Sequence, residues 1–384
     1  MQNITHRRIV GYIPLSILLL CANTSASAQN SGGSLAVGPR MAVFGECYVP
    51  GEPILAVFDS PQKFLLGQPR WQVLGQQIAD GVYDAIRHPS QPDVILVTYD
   101  NRIRTEQEIR AYDINGNGQP LWSVDLVSLM NGGAGPADLE PSPSGTRIFF
   151  QGSLYAGGAI LGQLDLKTHQ VESLGIGQRA RGDLLFDPVG DRLFEVGGGS
   201  NMFTYTLGRD ACTALGSISG ATERSLFIAN SAPHQMKLRP ESRHLWVAHQ
   251  GGITIVDVSQ PNSEMIVDAI PFSGGEPKIE FAPDGKVAYY AQGTIVNRID
   301  SDCGSPNYKS ILNFENIGSQ YQEVGQVHYV TLGNKDYLVC KAVPFQSSQT
   351  NPGNQFVVLD PVTLTVGPTV VSVVPNTYDF LTIP

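Results

Sequence analysis

The sequence predicts an all-β protein, a seven-bladed β-propeller of four-stranded antiparallel blades. Three observations predict it. The first is composition: 384 residues, 42% hydrophobic and only 16% charged, with 41 Gly and 26 Pro. Low charge with many turn formers suits a chain of short strands joined by tight turns. The second is a turn signal that returns at His88-Pro89, Pro143-Ser144-Gly145, Pro188-Val189-Gly190, Pro240-Glu241-Ser242 and Pro283-Asp284-Gly285. The third is an apolar pair closed by Asp, at Val57-Phe58-Asp59, Ala111-Tyr112-Asp113, Ile255-Val256-Asp257 and Val358-Leu359-Asp360. Less apolar copies stand at Gln163-Leu164-Asp165 and Arg298-Ile299-Asp300. Units of ~40–50 residues with four strands each are the mark of a propeller.

Residues 271–300 show one unit at its clearest. Ile279 and Phe281 alternate with polar neighbours, the period of a half-buried strand. Pro283-Asp284-Gly285 makes the turn, since Pro pre-sets one backbone angle and Gly tolerates a positive one. Val287 to Ala291 is a dense β-favouring run, and Thr294 to Ile299 a third strand ending at Asp300. An Asp there can bond the backbone two residues on and hold the hairpin. Six units begin with their own inner strand, at 82–88, 136–142, 181–187, 233–239, 276–282 and 325–331. The seventh is split. Met41 to Phe44, Ile54 to Phe58 and Phe64 to Leu74 supply three strands, and Thr377 to Pro384 supplies the innermost. Both ends of the chain thus close the ring and remove free sheet edges. Trp71, Trp122 and Trp246 fall within strands, as packing between blades.

The N-terminus is expected to be an address. His6-Arg7-Arg8 precedes the apolar run Ile9 to Ala22 and the small-residue site Ala26-Ser27-Ala28, the pattern of a cleaved signal peptide. Residues 1–28 form the leader and 29–384 the propeller, and the location is periplasmic or secreted. The apolar run is short for a bilayer span, and no other stretch is long and apolar enough. The chain carries a net charge of −10, and without the leader 23 basic residues face 35 acidic ones, a net −12. Such a surface repels phosphate backbones, which excludes nucleic acid as a partner. Cys47, Cys212, Cys303 and Cys340 allow three disulfide pairings. Cys47 with Cys340 is the pairing the blade order favours, and free buried thiols are the alternative.

The candidate site is a column five residues before each turn position: Asp84, Asp138, Asp183, Gln235, Lys278, Gln326 and Asp379. All seven are polar, although the next residue is apolar in every unit: Ala85, Leu139, Leu184, Met236, Ile279, Val327 and Phe380. Beginning the inner strands, they should ring the mouth of the central channel, where such folds open their pockets. Four carboxylates and one Lys could hold a small polar ligand, take a divalent cation such as calcium, or raise one Asp to a general base. Equally, they could only cap loops and meet channel water. His234 and His328 sit beside the column, but six histidines without the leader do not make a His-rich metal site, and no metal ligands are assigned. Arg179 and Arg181 lie in a loop on the same face and suit a carboxylate. Asp113 to Gly118 resembles the start of a calcium loop, but Val124 stands where the closing Glu belongs, so it is a hairpin turn. No GxSxG motif is present.

PHQMKLRPESRHLWVAHQGGITIVDV (233–258) and EPKIEFAPDGKVAYYAQGTIVNRID (276–300) resemble blades of the YVTN/YncE-type seven-bladed propellers and the related propeller lactonases. Pro233-His234 matches the family's Pro-His before an inner strand. Tyr290-Ala291-Gln292 and Val247-Ala248-His249 stand where its Tyr-Val-Thr/Ala-Asn signature falls. The resemblance implies the propeller fold and polar residues on the top face. Three functions are then expected. One is an exported binding protein whose funnel holds a small polar ligand or a partner protein. Another is a lactonase-type hydrolase using Asp84, Asp138, Asp183 and Asp379 with His234. The last is the non-catalytic large subunit of a periplasmic quinoprotein dehydrogenase. Fold alone does not choose among them.

Overall fold

In a computed structural model, the compact unit Val37–Pro384 is described over residues 39–383, apart from 102–104, 132, 134, 154–158, 174–181, 188–191, 198, 208–221, 230–232, 273–277, 333–334 and 345–352. The expected leader, Arg179, Arg181 and Cys212 lie outside the described residues.

The strands form seven four-stranded antiparallel sheets. Blades 1 to 6 begin with the inner strands Ala85–Arg87, Asp138–Pro141, Gly182–Phe186, Pro233–Leu238, Lys278–Phe281 and Tyr321–Leu332. Each runs outward in chain order. Blade 7 takes its inner strand, Asn376–Ile383, from the end of the chain, and it pairs with Arg40–Glu46 from Arg40↔Ile383 to Glu46↔Asn376. The remaining strands of that blade are Pro53–Phe58 and Trp71–Leu74. The predicted closure is therefore present. One element differs: Phe64 stands in the short helix Pro61–Leu65, not in the outer strand. Ser60 accepts the Lys63 N–H, and Pro61 suits a first helical turn. Phe64 itself packs edge-on against Phe58 and Phe356.

The core is divided among the seams between blades. Seven apolar clusters are described, one at each seam. The tryptophans fill them as expected. Trp71 packs on Tyr112 between blades 7 and 1, Trp122 on the His169 ring between blades 1 and 2, and Trp246 on Phe281 between blades 4 and 5. Seams this apolar hold adjacent sheets together without covalent links. The pairing of Cys47 with Cys340 is corrected: both are free and buried, Cys47 at the seam of blades 7 and 1 and Cys340 at that of blades 5 and 6. The seam of blades 3 and 4 also holds an ionic lock. Buried Arg192 pairs with Asp187 at 2.6 Å and Glu264 at 2.9 Å, and Arg243 joins Asp187 at 2.6 Å. Each charge of this buried set is paired, as burial requires.

The two landmarks of the repeat have physical causes. Asp113, Asp165, Asp257, Asp300 and Asp360 each accept the backbone N–H two residues on, at 2.8–3.0 Å. These bonds hold the carboxyls of Asp165, Asp257 and Asp360 below the usual range. In the Asp165 case burial opposes the effect and the N–H bonds from Thr168 and Lys167 outweigh it. At the turn, Gly145 and Gly285 have φ of 66° and 65°. Each also nests against the turn proline of the preceding blade: a Cβ on Gly285 would lie 2.9 Å from the Pro240 carbonyl oxygen. Gly285→Ala is thus expected to lower stability by about 1–2 kcal/mol from the left-handed backbone alone, and more from the contact, in a denaturant melt. Gly293→Ala, also at positive φ (54°) but in open space, should show only the backbone part.

Candidate functional site

An inner strand has a sheet neighbour on one side only. Alternate N–H groups therefore point into the central channel, and a buried N–H without an acceptor is costly. The first such group in each blade belongs to the apolar residue after the predicted column. The column supplies the acceptors, across the seams. Asp84 Oδ2 accepts the N–H of Leu139 at 2.7 Å, Asp138 accepts that of Leu184, Asp183 that of Met236 at 2.6 Å, and Gln235 Oε1 that of Ile279 at 2.7 Å. Each residue thus binds the strand of the next blade. Asp84 Oδ1 and Asp379 Oδ1 also accept the N–H of their own neighbours, Ala85 and Phe380, each at 2.8 Å. The staircase stops at Lys278, which has no acceptor to offer Val327.

A second polar layer lies two residues further along the same strands. Glu140 accepts the Phe186 N–H at 2.7 Å across the seam of blades 2 and 3. Lys237 meets Glu280 at 3.3 Å, Glu280 stands 3.9 Å from His328 Nδ1, and His328 Nε2 contacts Asp379 Oδ1 at 2.6 Å. The result is a charged relay, Lys237–Glu280–His328–Asp379, over blades 4 to 7. On blades 1 to 3 the facing wall is acidic, with Asp84, Asp138, Glu140 and Asp183.

These groups titrate abnormally. Burial pushes Asp84 up to about 7 and Glu140 up to about 8, against the N–H bonds each accepts. Burial also raises Asp138, and the Asp84 and Asp183 charges add to it. Burial brings Asp183 to about 6, opposed by the Met236 N–H and the Lys237 and Lys278 charges. In the relay the balance reverses. Burial would lower His328 and raise Asp379, but each outweighs it in the other: the imidazole is held above its ordinary value and the carboxyl below. Lys237 is raised, chiefly by Glu280.

Apart from Glu280, the charged side chains of both layers line a cavity of about 360 Å³. Of the residues singled out in the sequence, the structure places Asp84, Asp138, Asp183, His234, Gln235, Lys278, Gln326, His328 and Asp379 on its wall. Glu140 and Lys237 of the second layer are there too, with Tyr83 and Tyr378, whose rings stack 5.1 Å apart. Sequence reasoning missed Glu140, Lys237 and Glu280. They stand three residues before the turn prolines 143, 240 and 283, so a second column was present to be read. His88 and His249 take structural roles: their Nδ1 atoms accept the backbone N–H groups of Ser90 and Gly251. Among the described residues no three His, Cys, Asp or Glu side chains are grouped to hold a metal ion. Asp84, Asp138 and Asp183 each commit an oxygen to a neighbouring blade instead.

No protein-family model matches the chain, and no curated protein matches its sequence. Solved structures do match it. A periplasmic gluconolactonase from Pseudomonas aeruginosa superposes with a TM-score of 0.65 at 12% identity, over 90% of this chain and 99% of that one. A protein from Bacteroides fragilis described as a candidate 6-phosphogluconolactonase gives 0.64 at 11%, over 92% and 100%. A protein of unknown function from Desulfotomaculum acetoxidans gives 0.63 at 11%, over 89% and 98%. These likenesses show the fold. At such identities they do not carry an activity across, and the chemistry has to be argued from the channel.

The acidic wall sets a pH dependence. Asp84, Glu140 and Asp183 bind protons more tightly folded than unfolded, with folded values of about 7, 8 and 6 against 3.8 or 4.5. Their stabilising contribution is complete below the unfolded values and is lost as pH rises through the folded ones. Melting temperature should therefore fall between about pH 4 and pH 8, and Asp84→Asn should flatten that fall. Asp138→Asn keeps an oxygen for the Leu184 N–H, whereas Asp138→Ala leaves it bare. The Ala variant should lose about 1–3 kcal/mol relative to the Asn variant.

Proposed function

We propose that the mouth of the channel binds a small, polar, hydroxyl-bearing molecule. The observation that carries this reading is the cavity of about 360 Å³, within the range of small-molecule pockets. Its wall is polar around most of the ring, and it offers donors and acceptors together. At neutral pH Glu140 is mostly protonated and donates, while Asp183 is mostly ionised and accepts.

A catalytic use of the same pocket is favoured by the His328–Asp379 pair. Against burial, the Asp379 carboxylate holds His328 above its ordinary value, which favours the protonated form as a proton donor. Lactone hydrolysis fits. Water adds to the lactone carbonyl and gives its proton to Asp183. The oxyanion forms near the ammonium groups of Lys237 and Lys278. The ring C–O bond then breaks, and its oxygen takes the proton of His328. The printed names of the Pseudomonas and Bacteroides neighbours support testing lactones first. The part expected of His234 is proposed for His328, whose Nε2 meets Asp379 Oδ1 at 2.6 Å.

The protein is also proposed to act outside the cytoplasm. The basic patch, apolar run and small-residue site of residues 6–28 support it, one neighbour is periplasmic, and no described helix is long and apolar enough to cross a membrane.

Glucono-δ-lactone and related sugar lactones should raise the melting temperature saturably, and their hydrolysis should exceed the spontaneous rate. His328→Gln should then lower kcat by about 100-fold or more with little change in KM. Saturable stabilisation without turnover would leave a binding protein. Neither effect, with lactones or with neutral polyols, would contradict the reading.

A further inference from the structure

The column accounts for itself at most positions. Asp84, Asp138, Asp183 and Gln235 each hold an N–H of the next blade, and Asp379 holds His328. Two members remain, and they are neighbours in the ring: Lys278 of blade 5 and Gln326 of blade 6, both on the cavity wall. Lys278 has no ion pair or hydrogen bond among the described residues. Gln326 Oε1 is buried without a hydrogen-bond partner among them. The backbone places Gln326 deliberately. The ladder with Lys335–Pro344 shifts register between Val324 and Gln326, and such a bulge re-aims the side chain that follows it. Gly325 stands in the bulge, close under the Lys341 side chain: a Cβ there would lie 2.6 Å from Lys341 Cε.

An ammonium donor beside a buried amide acceptor is a recognition pair. The ligand group opposite Lys278 must be an acceptor, best an anion. The group opposite Gln326 Oε1 must be a donor, and a hydroxyl serves. Charge narrows the anion. Asp183 lies near enough to Lys278 for the ammonium to pull its carboxyl down, and Asp84, Asp138 and Glu140 share the wall. A dianionic phosphate would meet all four carboxyls with one unpaired lysine in its favour, whereas a carboxylate brings a single charge. We infer that Lys278 and Gln326 select a hydroxy-carboxylate, with Lys278 on the carboxylate and Gln326 on the adjacent hydroxyl. This rests on the proposed binding of a small polar molecule in the same cavity, and it names the class. Where that molecule is a lactone, the hydroxy-carboxylate is what hydrolysis leaves in the site.

The test is calorimetric titration of the full chain at neutral pH with two probes of equal length, sodium D-gluconate and neutral D-glucitol. Gluconate should bind the wild type at least ~10-fold more tightly. Lys278→Met should erase that preference, and Lys278→Arg should keep it. Gln326→Leu should weaken gluconate but bind 2-deoxygluconate, which lacks the neighbouring hydroxyl, as the wild type does. Lys278→Arg should melt with the wild type, since it keeps the charge beside Asp183 and no hydrogen bond or ion pair among the described residues uses the Lys278 side chain. Equal affinity of the wild type for gluconate and glucitol would overturn the inference and leave the proposed pocket standing. So would an undiminished preference in Lys278→Met. Binding of neither probe would overturn both.

Discussion

A ring of sheets turns its inner edges toward one another across a channel, and every one of those edges carries N–H groups with no strand to pair them. This single constraint organises the centre of the molecule. The answer on blades 1 to 4 is a side-chain acceptor at the start of the inner strand, reaching to the next blade. From Asp84 to Ile279 four such bonds run in sequence around the ring. They tie neighbouring blades at the narrowest radius, where apolar side chains have least room. At larger radius the seam clusters take over, and the Arg192–Asp187–Glu264 lock adds to one of them.

The same constraint creates the pocket. Acceptors strong enough to hold a backbone N–H are mostly carboxylates, and several of them around one channel repel each other and resist ionisation. Burial is the main cause of the raised values of Asp84, Asp138, Glu140 and Asp183, and repulsion between carboxyls adds to it at the first three. Where the pattern departs from carboxylate or amide, the departure is informative. Lys278 cannot extend the staircase, and on that side of the ring a relay of opposite charges takes its place. Structure thus explains most of the polar ring, and function is left to the residues that structure does not occupy.

The architecture was legible because repetition is visible in one dimension. Pro-turn spacing and hairpin Asp residues marked the blades, and the tail Thr377 to Pro384 announced itself by copying the other inner strands. The column was legible too, since a polar residue before an apolar one recurs in all seven units. Its purpose was not. Nothing in Asp84 alone says that its oxygen reaches Leu139, a residue 55 positions away. The second layer was harder, because Ile86, Leu185 and Leu381 interrupt it with apolar members. Phe64 was misplaced since Ser60-Pro61 starts a helix turn inside an otherwise β-rich run. The pairing of Cys47 and Cys340 failed for a related reason: seam membership depends on which face of a strand a residue takes, and blade order alone does not give it.

The account stands on the inner-strand N–H groups being covered by the neighbouring blade. Amide hydrogen exchange measured residue by residue addresses this directly. Leu139, Leu184, Met236 and Ile279 should exchange as slowly as amides in the middle strands of their blades, opening only with global unfolding. Exchange of these four at the rate of unprotected channel-facing amides would contradict it.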